Sequence, residues 1–336
     1  MSKTLTLKIR KALTIILLLI LPLAANNVCA QEDGVHEFTV YVMPTLLPLN
    51  WESPSTLFNS MKTCYLKTIT QADNYLLGHV AVSINSPLLE KPLLIAQTSG
   101  TLDEKLNLIF KQKVGFGIIG APLQGRLESE EELKHKLNVY SKRNKLAFIR
   151  YRISEKAARR MLTFIDNYSK KMNDKNAPCD FYGGAFWPRY HKEGSGCSGF
   201  GMVLLEVVNM LNKDSEDWKL VVNIPMSIIG GEFNQNKKIK NSTIKKTHRW
   251  AAENGRPNVD YVKYMVYEPS LMFDWILNKR AQSDSVYIPI SENGIPGLIV
   301  DNRHIEVNEE EPLFIERTEQ NLFIDHYLKK INSSNQ

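Results

Sequence analysis

Gly196-Cys197-Ser198-Gly199-Phe200-Gly201-Met202-Val203-Leu204-Leu205-Glu206 decides how this chain is read. The run continues to Leu211 and is apolar nearly all round, with Glu206 and Asn209 as its only polar breaks. A helix of that composition is buried at the centre of a domain. A cysteine at its first position lies among unpaired backbone N–H groups at the positive end of the helix dipole. Both favour thiolate over thiol. The same N–H groups, including that of Cys197, suit a tetrahedral oxyanion. The segment therefore predicts a reactive thiol on a buried helix.

Such a thiol needs a base. Gly78-His79-Val80-Ala81-Val82-Ser83-Ile84 reads as a strong strand with a histidine at its start, suited to pass a proton to a leaving amine or alkoxide. Glu37–Val42, Leu93–Gln97, Val114–Gly120 and Leu146–Ile153 read as further strands. The charged stretch Glu128–Lys136 reads as an exposed helix. Ser154 is a good N-cap for a helix whose Ala157, Met161 and Ile165 form a buried stripe, and polar residues from Lys170 to Asn176 end it. After the Gly-rich loop 182–196, Leu220–Ile224 and Tyr261–Tyr267 are expected strands. Pro269-Ser270 opens a helix to about Arg280, and the tail reads as short strands and loops. Lys237–Arg249 is basic, either a solvated loop or an anion contact.

Tyr182-Gly183-Gly184, a loop, and then Cys197-Ser198-Gly199-Phe200 resemble the YGG…DCSGF/L motif of NlpC-like cysteine peptidases and amidases. Gly78-His79-Val80-Ala81-Val82 resembles their GHVGI strand. Histidine precedes cysteine here, as in the circularly permuted, YiiX-type branch, and the match covers roughly residues 69–211. The resemblance implies an α+β, papain-like, circularly permuted core, with a small antiparallel β-sheet or barrel packed on the buried cysteine helix. It implies a thiol hydrolase that cleaves an amide or acyl bond through a thioester, with Cys197 as nucleophile, His79 as general base and Gln97 orienting the imidazole. Tyr182, Gly183, Gly184, Trp187 and Ser198 would line the substrate cleft. Two positions depart from the family: Gly196 replaces an aspartate, and Asp180 stands where many relatives carry an oxyanion-side tyrosine. The alternative is a non-catalytic secreted binding or structural protein that retains the fold.

The amino end reads as a signal peptide over residues 1–30. Lys3, Lys8, Arg10 and Lys11 precede an apolar run of about fourteen residues, short of the ~20 that span a bilayer, and Val28-Cys29-Ala30 suits cleavage before Gln31. An exported, periplasmic or extracellular protein is expected, acting on a peptide-like or acylated envelope substrate. Residues 31–290 would form the catalytic domain and 291–336 an extension. Without the leader's four basic residues the formal charge falls from +6 to +2, which argues against a nucleic-acid partner. No later segment is apolar enough to cross a membrane. Three cysteines then remain, and parity suggests a Cys64–Cys179 bridge with Cys197 free. No metal-ligand spacing such as CxxC joins His79, Cys197 and His191, and neither a metal nor a cofactor is expected.

Overall fold

The computed structural model describes residues 34–69, 78–100, 102–171, 176–282 and 284–333. The expected leader, with Cys29 and the cleavage point before Gln31, lies outside the described residues, as do residues 172–175 of the polar stretch after Lys170. In chain order the first elements are β1 (Glu37–Met43), α1 (Pro54–Ile69), β2 (His79–Asn85), β3 (Leu93–Ile95), β4 (Gln97–Ser99), α2 (Leu102–Leu106), β5 (Leu123–Leu127), α3 (Glu130–Lys142), β6 (Ala147–Arg152) and α4 (Glu155–Ser169). They continue with β7 (Phe181–Tyr182), α5 (Cys197–Glu206), β8 (Lys219–Pro225), α6 (Asn241–Lys245), β9 (Tyr261–Tyr267), α7 (Pro269–Arg280), β10 (Ile288–Glu292), β11 (Ile295–Asp301) and α8 (Leu322–Ser333). The fold is α+β.

A six-stranded sheet in the order β10-β11-β6-β1-β2-β3 forms the centre. It is antiparallel except where β11 runs parallel to β6. Alternation along the strands gives it two faces. Phe38, Val40 and Val42 of β1 and Val80, Val82 and Ile84 of β2 pack with Met161 and Phe164 of α4, Phe200 and Leu204 of α5, and Met272 and Ile276 of α7. Met43 and Ala81, of opposite parity, pack with Leu133 and Tyr140 of α3. The helix α5 comes close to β2 because Gly201 has no side chain; a Cβ there would lie 2.9 Å from a Val80 methyl. A second core lies under the β8–β9 ladder, where Val222, Ile224, Val262 and Tyr264 cluster with Leu57 of α1 and Ile244 of α6. Among the described residues, no helix is long and apolar enough to cross a membrane.

Several expectations need revision. Leu93–Gln97 is not one strand: it breaks at Ala96, so β3 joins the large sheet while β4 joins β5 and β7 in a second one. Val114–Gly120 is a 3₁₀ turn over Phe116–Ile119 after Gly115, whose φ of +58° ends extended backbone. Cβ-less Gly120 also lets the Phe323 ring lie against the chain. The cysteine helix stops at Glu206, before Asn209 adopts a left-handed φ of +59°. The tail contributes β11 to the large sheet and ends in the twelve-residue helix α8, whose Phe323, Ile324 and Tyr327 are buried. Parity also misled: Cys179 is a free thiol, so no Cys64–Cys179 bridge forms.

Candidate active site

Cys197 occupies the first position of α5, behind the extended Gly196, and only 8% of it is exposed. Its sulfur lies at the start of β2, 4.0 Å from the Gly78 carbonyl oxygen, and accepts a hydrogen bond from the Val80 backbone N–H. Glycine at 78 is required there, since a Cβ would lie 2.9 Å from the Pro269 ring. The next residue, His79, hydrogen-bonds the Cys197 thiol. Its Nε2 meets Glu128 Oε2 at 2.5 Å, so Nδ1 is the nitrogen that the carboxylate leaves free. Glu128 is in turn ion-paired through Oε1 to Lys136 of α3. Sulfur, imidazole, carboxylate and ammonium thus form one continuous buried chain.

Electrostatics follow from that chain. Burial opposes the Cys197 thiolate, but the His79 imidazolium, their hydrogen bond and the Val80 N–H outweigh it, so the thiol titrates below its ordinary range. Burial likewise opposes the His79 cation, yet the Cys197 charge and Glu128 raise it above the usual imidazole value. Glu128 stays ionised despite burial because His79 and Lys136 face it. Cys179 shows the contrast: burial and Asp180, without a cation, push its thiol up to about 11. The pairing of a lowered thiol with a raised imidazole favours the thiolate–imidazolium form of the pair.

The orienting residue is therefore Glu128, and the expectation for Gln97 is corrected. Gln97 is fully buried, and its Nε2 donates to the carbonyls of Cys179 (2.7 Å) and Phe181 (3.4 Å). Its Oε1 has no hydrogen-bond partner, so it does not hold the imidazole. The reason is register. Gln97 pairs with Leu127 across β4 and β5, whereas Glu128 bonds through its N–H to Ala96 one step earlier, on the opposite parity.

Tyr182 does come to the Cys197 thiol. Its hydroxyl contacts both the Cys197 side chain and the Cys197 backbone N–H, and burial with the nearby sulfur charge keeps the phenol protonated. A tyrosine two residues after Asp180 thus stands beside the Cys197 thiol. Gly183 and Gly184 permit the approach: a Cβ at 183 would lie 2.9 Å from Phe186, and one at 184 only 2.6 Å from the Tyr264 hydroxyl. Tyr264, raised by burial and by the Cys197 charge, borders the same space. Ser198 is buried in the first turn of α5. Trp187 stacks on Tyr267 at 5.7 Å and donates through Nε1 to Glu206, the last residue of α5, at 2.7 Å, so it packs along that helix.

Reading the sequence missed Glu128, Lys136 and Tyr264. Lys105 of α2 also escaped notice; its Nζ lies 5.9 Å above the Tyr182 ring centroid. One signal for Glu128 was present. It directly precedes Ser129, whose capping box with Glu132 starts α3, so it belongs to the strand exit and not to the exposed helix. Among the described residues no group of three or more His, Cys, Asp or Glu forms a metal site. No family model, curated protein or solved structure matches this chain.

Proposed function

We propose that this chain is an exported thiol hydrolase of the circularly permuted, papain-like NlpC class, cleaving an amide or acyl bond through a thioester. The observation that carries the reading is the convergence of Cys197, His79 and Glu128, with the thiol lowered and the imidazole raised. Histidine strand before cysteine helix, and a cysteine at the first turn of a helix buried on that strand, agree with the permuted pattern. The basic, apolar and Val28-Cys29-Ala30 sequence of the amino end supports action in the cell envelope or outside the cell.

In this mechanism the Cys197 thiolate attacks the acyl carbon, and the carbonyl π electrons move to oxygen. That oxyanion accepts hydrogen bonds from the Cys197 N–H and the Tyr182 hydroxyl, two donors that lie beside the sulfur. Collapse breaks the bond to the leaving group, which takes the proton from His79, and leaves a thioester. His79 then removes a proton from water, the hydroxide attacks the thioester, and the departing sulfur returns as thiolate beside the reprotonated imidazole. Glu128 holds the ring in one orientation and stabilises its cation throughout.

The test is to trap the acyl-enzyme. Incubation with p-nitrophenyl esters and peptidyl p-nitroanilides, followed by acid quench and peptide mass mapping, should show an acyl group on Cys197 that hydroxylamine removes. Cys197→Ala should show none. No adduct from any donor, with Cys197 alkylated no faster than Cys179 at pH 6.5, would favour the non-catalytic binding protein.

A further inference from the structure

The short helix α2 brings one lysine to the mouth of the site. Lys105 sits half-buried with Nζ over the face of Tyr182, whose hydroxyl contacts Cys197. Among the described residues Lys105 makes no hydrogen bond and no ion pair. The neighbouring carboxylate does not answer it, because Glu104 Oε2 accepts the Gln124 backbone N–H at 2.9 Å. This differs from Lys136, the other lysine near the site, whose charge is taken up by Glu128. Burial pulls Lys105 below the usual lysine range, and the strongest opposing influence is the Cys197 sulfur, ahead of Glu104. A partly desolvated ammonium with no ion-pair partner, beside the Cys197 thiol, is well placed to meet an anionic group.

We propose that Lys105 is a specificity residue and that the site takes acyl substrates carrying a carboxylate within a few bonds of the scissile carbonyl. The inference rests on Cys197 being the nucleophile. In the bound state the carboxylate accepts a hydrogen bond from Lys105 Nζ while the reacting carbonyl lies between the Cys197 N–H and the Tyr182 hydroxyl. The incoming charge offsets the desolvation that Lys105 already bears, so the ion pair is worth more than one on an open surface. Lysine acts here as a compact point charge, and the Tyr182 ring below it steadies the head by a cation–π contact.

The two reagents iodoacetate and iodoacetamide test this without a known substrate. Each alkylates Cys197 as the thiolate forms a carbon–sulfur bond and iodide leaves, and they differ only in the carboxylate. In the wild type the ratio of iodoacetate to iodoacetamide rate constants at Cys197 should be high at low salt and fall as salt is added. Lys105→Met should lower the ratio about tenfold while changing the iodoacetamide rate less than twofold, and Lys105→Arg should restore most of it. A ratio unchanged in Lys105→Met, with iodoacetamide still fast, overturns the role of Lys105 and leaves the nucleophile reading intact. Slow iodoacetamide labelling of wild-type Cys197 at neutral pH overturns the nucleophile reading itself. Because His79 also attracts the anion, the decisive quantity is the change in ratio between wild type and Lys105→Met.

Discussion

Two sets of buried charges lie within this fold, and they are built for different ends. One is the chain Cys197–His79–Glu128–Lys136. The other fastens the segment 302–320 onto the loop 186–193. There Arg189, 1% exposed, bonds Leu313 O and Glu311, Glu193 pairs with Arg317 at 2.6 Å, and Arg160 holds the carbonyls of Val207, Glu309 and Glu311. These three cations are arginines, which stay charged at any working pH and fork onto fixed acceptors. In the first set the thiol is lowered and the imidazole raised, each by the other. Permanent charge holds a strap in place, whereas chemistry needs a proton that can leave and return.

The comparison can be broken most severely at the sulfur. Cys197→Ala should reduce hydrolysis of any acyl donor found above by at least about 10³-fold. A thermal unfolding midpoint close to the wild type would show that the fold survives. The clasp should respond in the opposite sense. Arg317→Met leaves Glu193, 1% exposed, without its cation and should cost about 3 kcal/mol of stability. Its iodoacetamide rate at Cys197 should stay within twofold. Denaturant unfolding of the variant reads the first quantity, and a large fall in alkylation would make the clasp part of the site.

Glu128→Gln sharpens the difference through pH. The reactive pair exists above the lowered thiol value of Cys197 and below the raised imidazole value of His79. Removing the Glu128 charge lowers His79, so the window should narrow from its alkaline side. Turnover near pH 8 should fall about tenfold, with less change near pH 6, in a kcat/KM profile. An alkaline limb that does not move would leave Glu128 a packing residue. The smallest effect belongs to Gln97→Met, which should leave both limbs in place. It should change stability by no more than about 1 kcal/mol, since the lost Nε2 donor is balanced by removal of an orphaned Oε1.

Half of the candidate site was legible in linear order. Cys197 announced itself because an apolar run with a cysteine at its head can only be a buried helix with a thiol at its positive end. His79 was legible because GHVAVSI has no other sensible conformation. Glu128 and Lys136 were hidden in a run of charges whose pattern resembles a solvated helix face. Most of that helix is indeed exposed, with Leu133 and Tyr140 buried. Only its place before the Ser129 cap separates Glu128 from Glu130, Glu131 and Glu132. The difference is that Glu128 ends a strand whose exit faces His79.

The sequence alone determined the elements whose forces are local. The Ser154 cap donates its geometry to α4, the alternation of β1, β2 and β6 defines their buried faces, and Pro269 starts α7 where expected. Tertiary structure decided what depends on contacts distant in the chain. It joined Ile95 and Gln97 to different sheets, turned Gln97 away from His79 by one step of register, and set Tyr182 rather than a residue at 180 beside the Cys197 thiol. It also placed Lys105 over Tyr182 and near Cys197 with no ion-pair partner among the described residues. Capping and periodicity act over one to four residues and are written in the order of the chain. Whether a carboxylate is buried against an imidazole 49 residues away depends on how two strands and a helix pack, and that is settled only when the core closes.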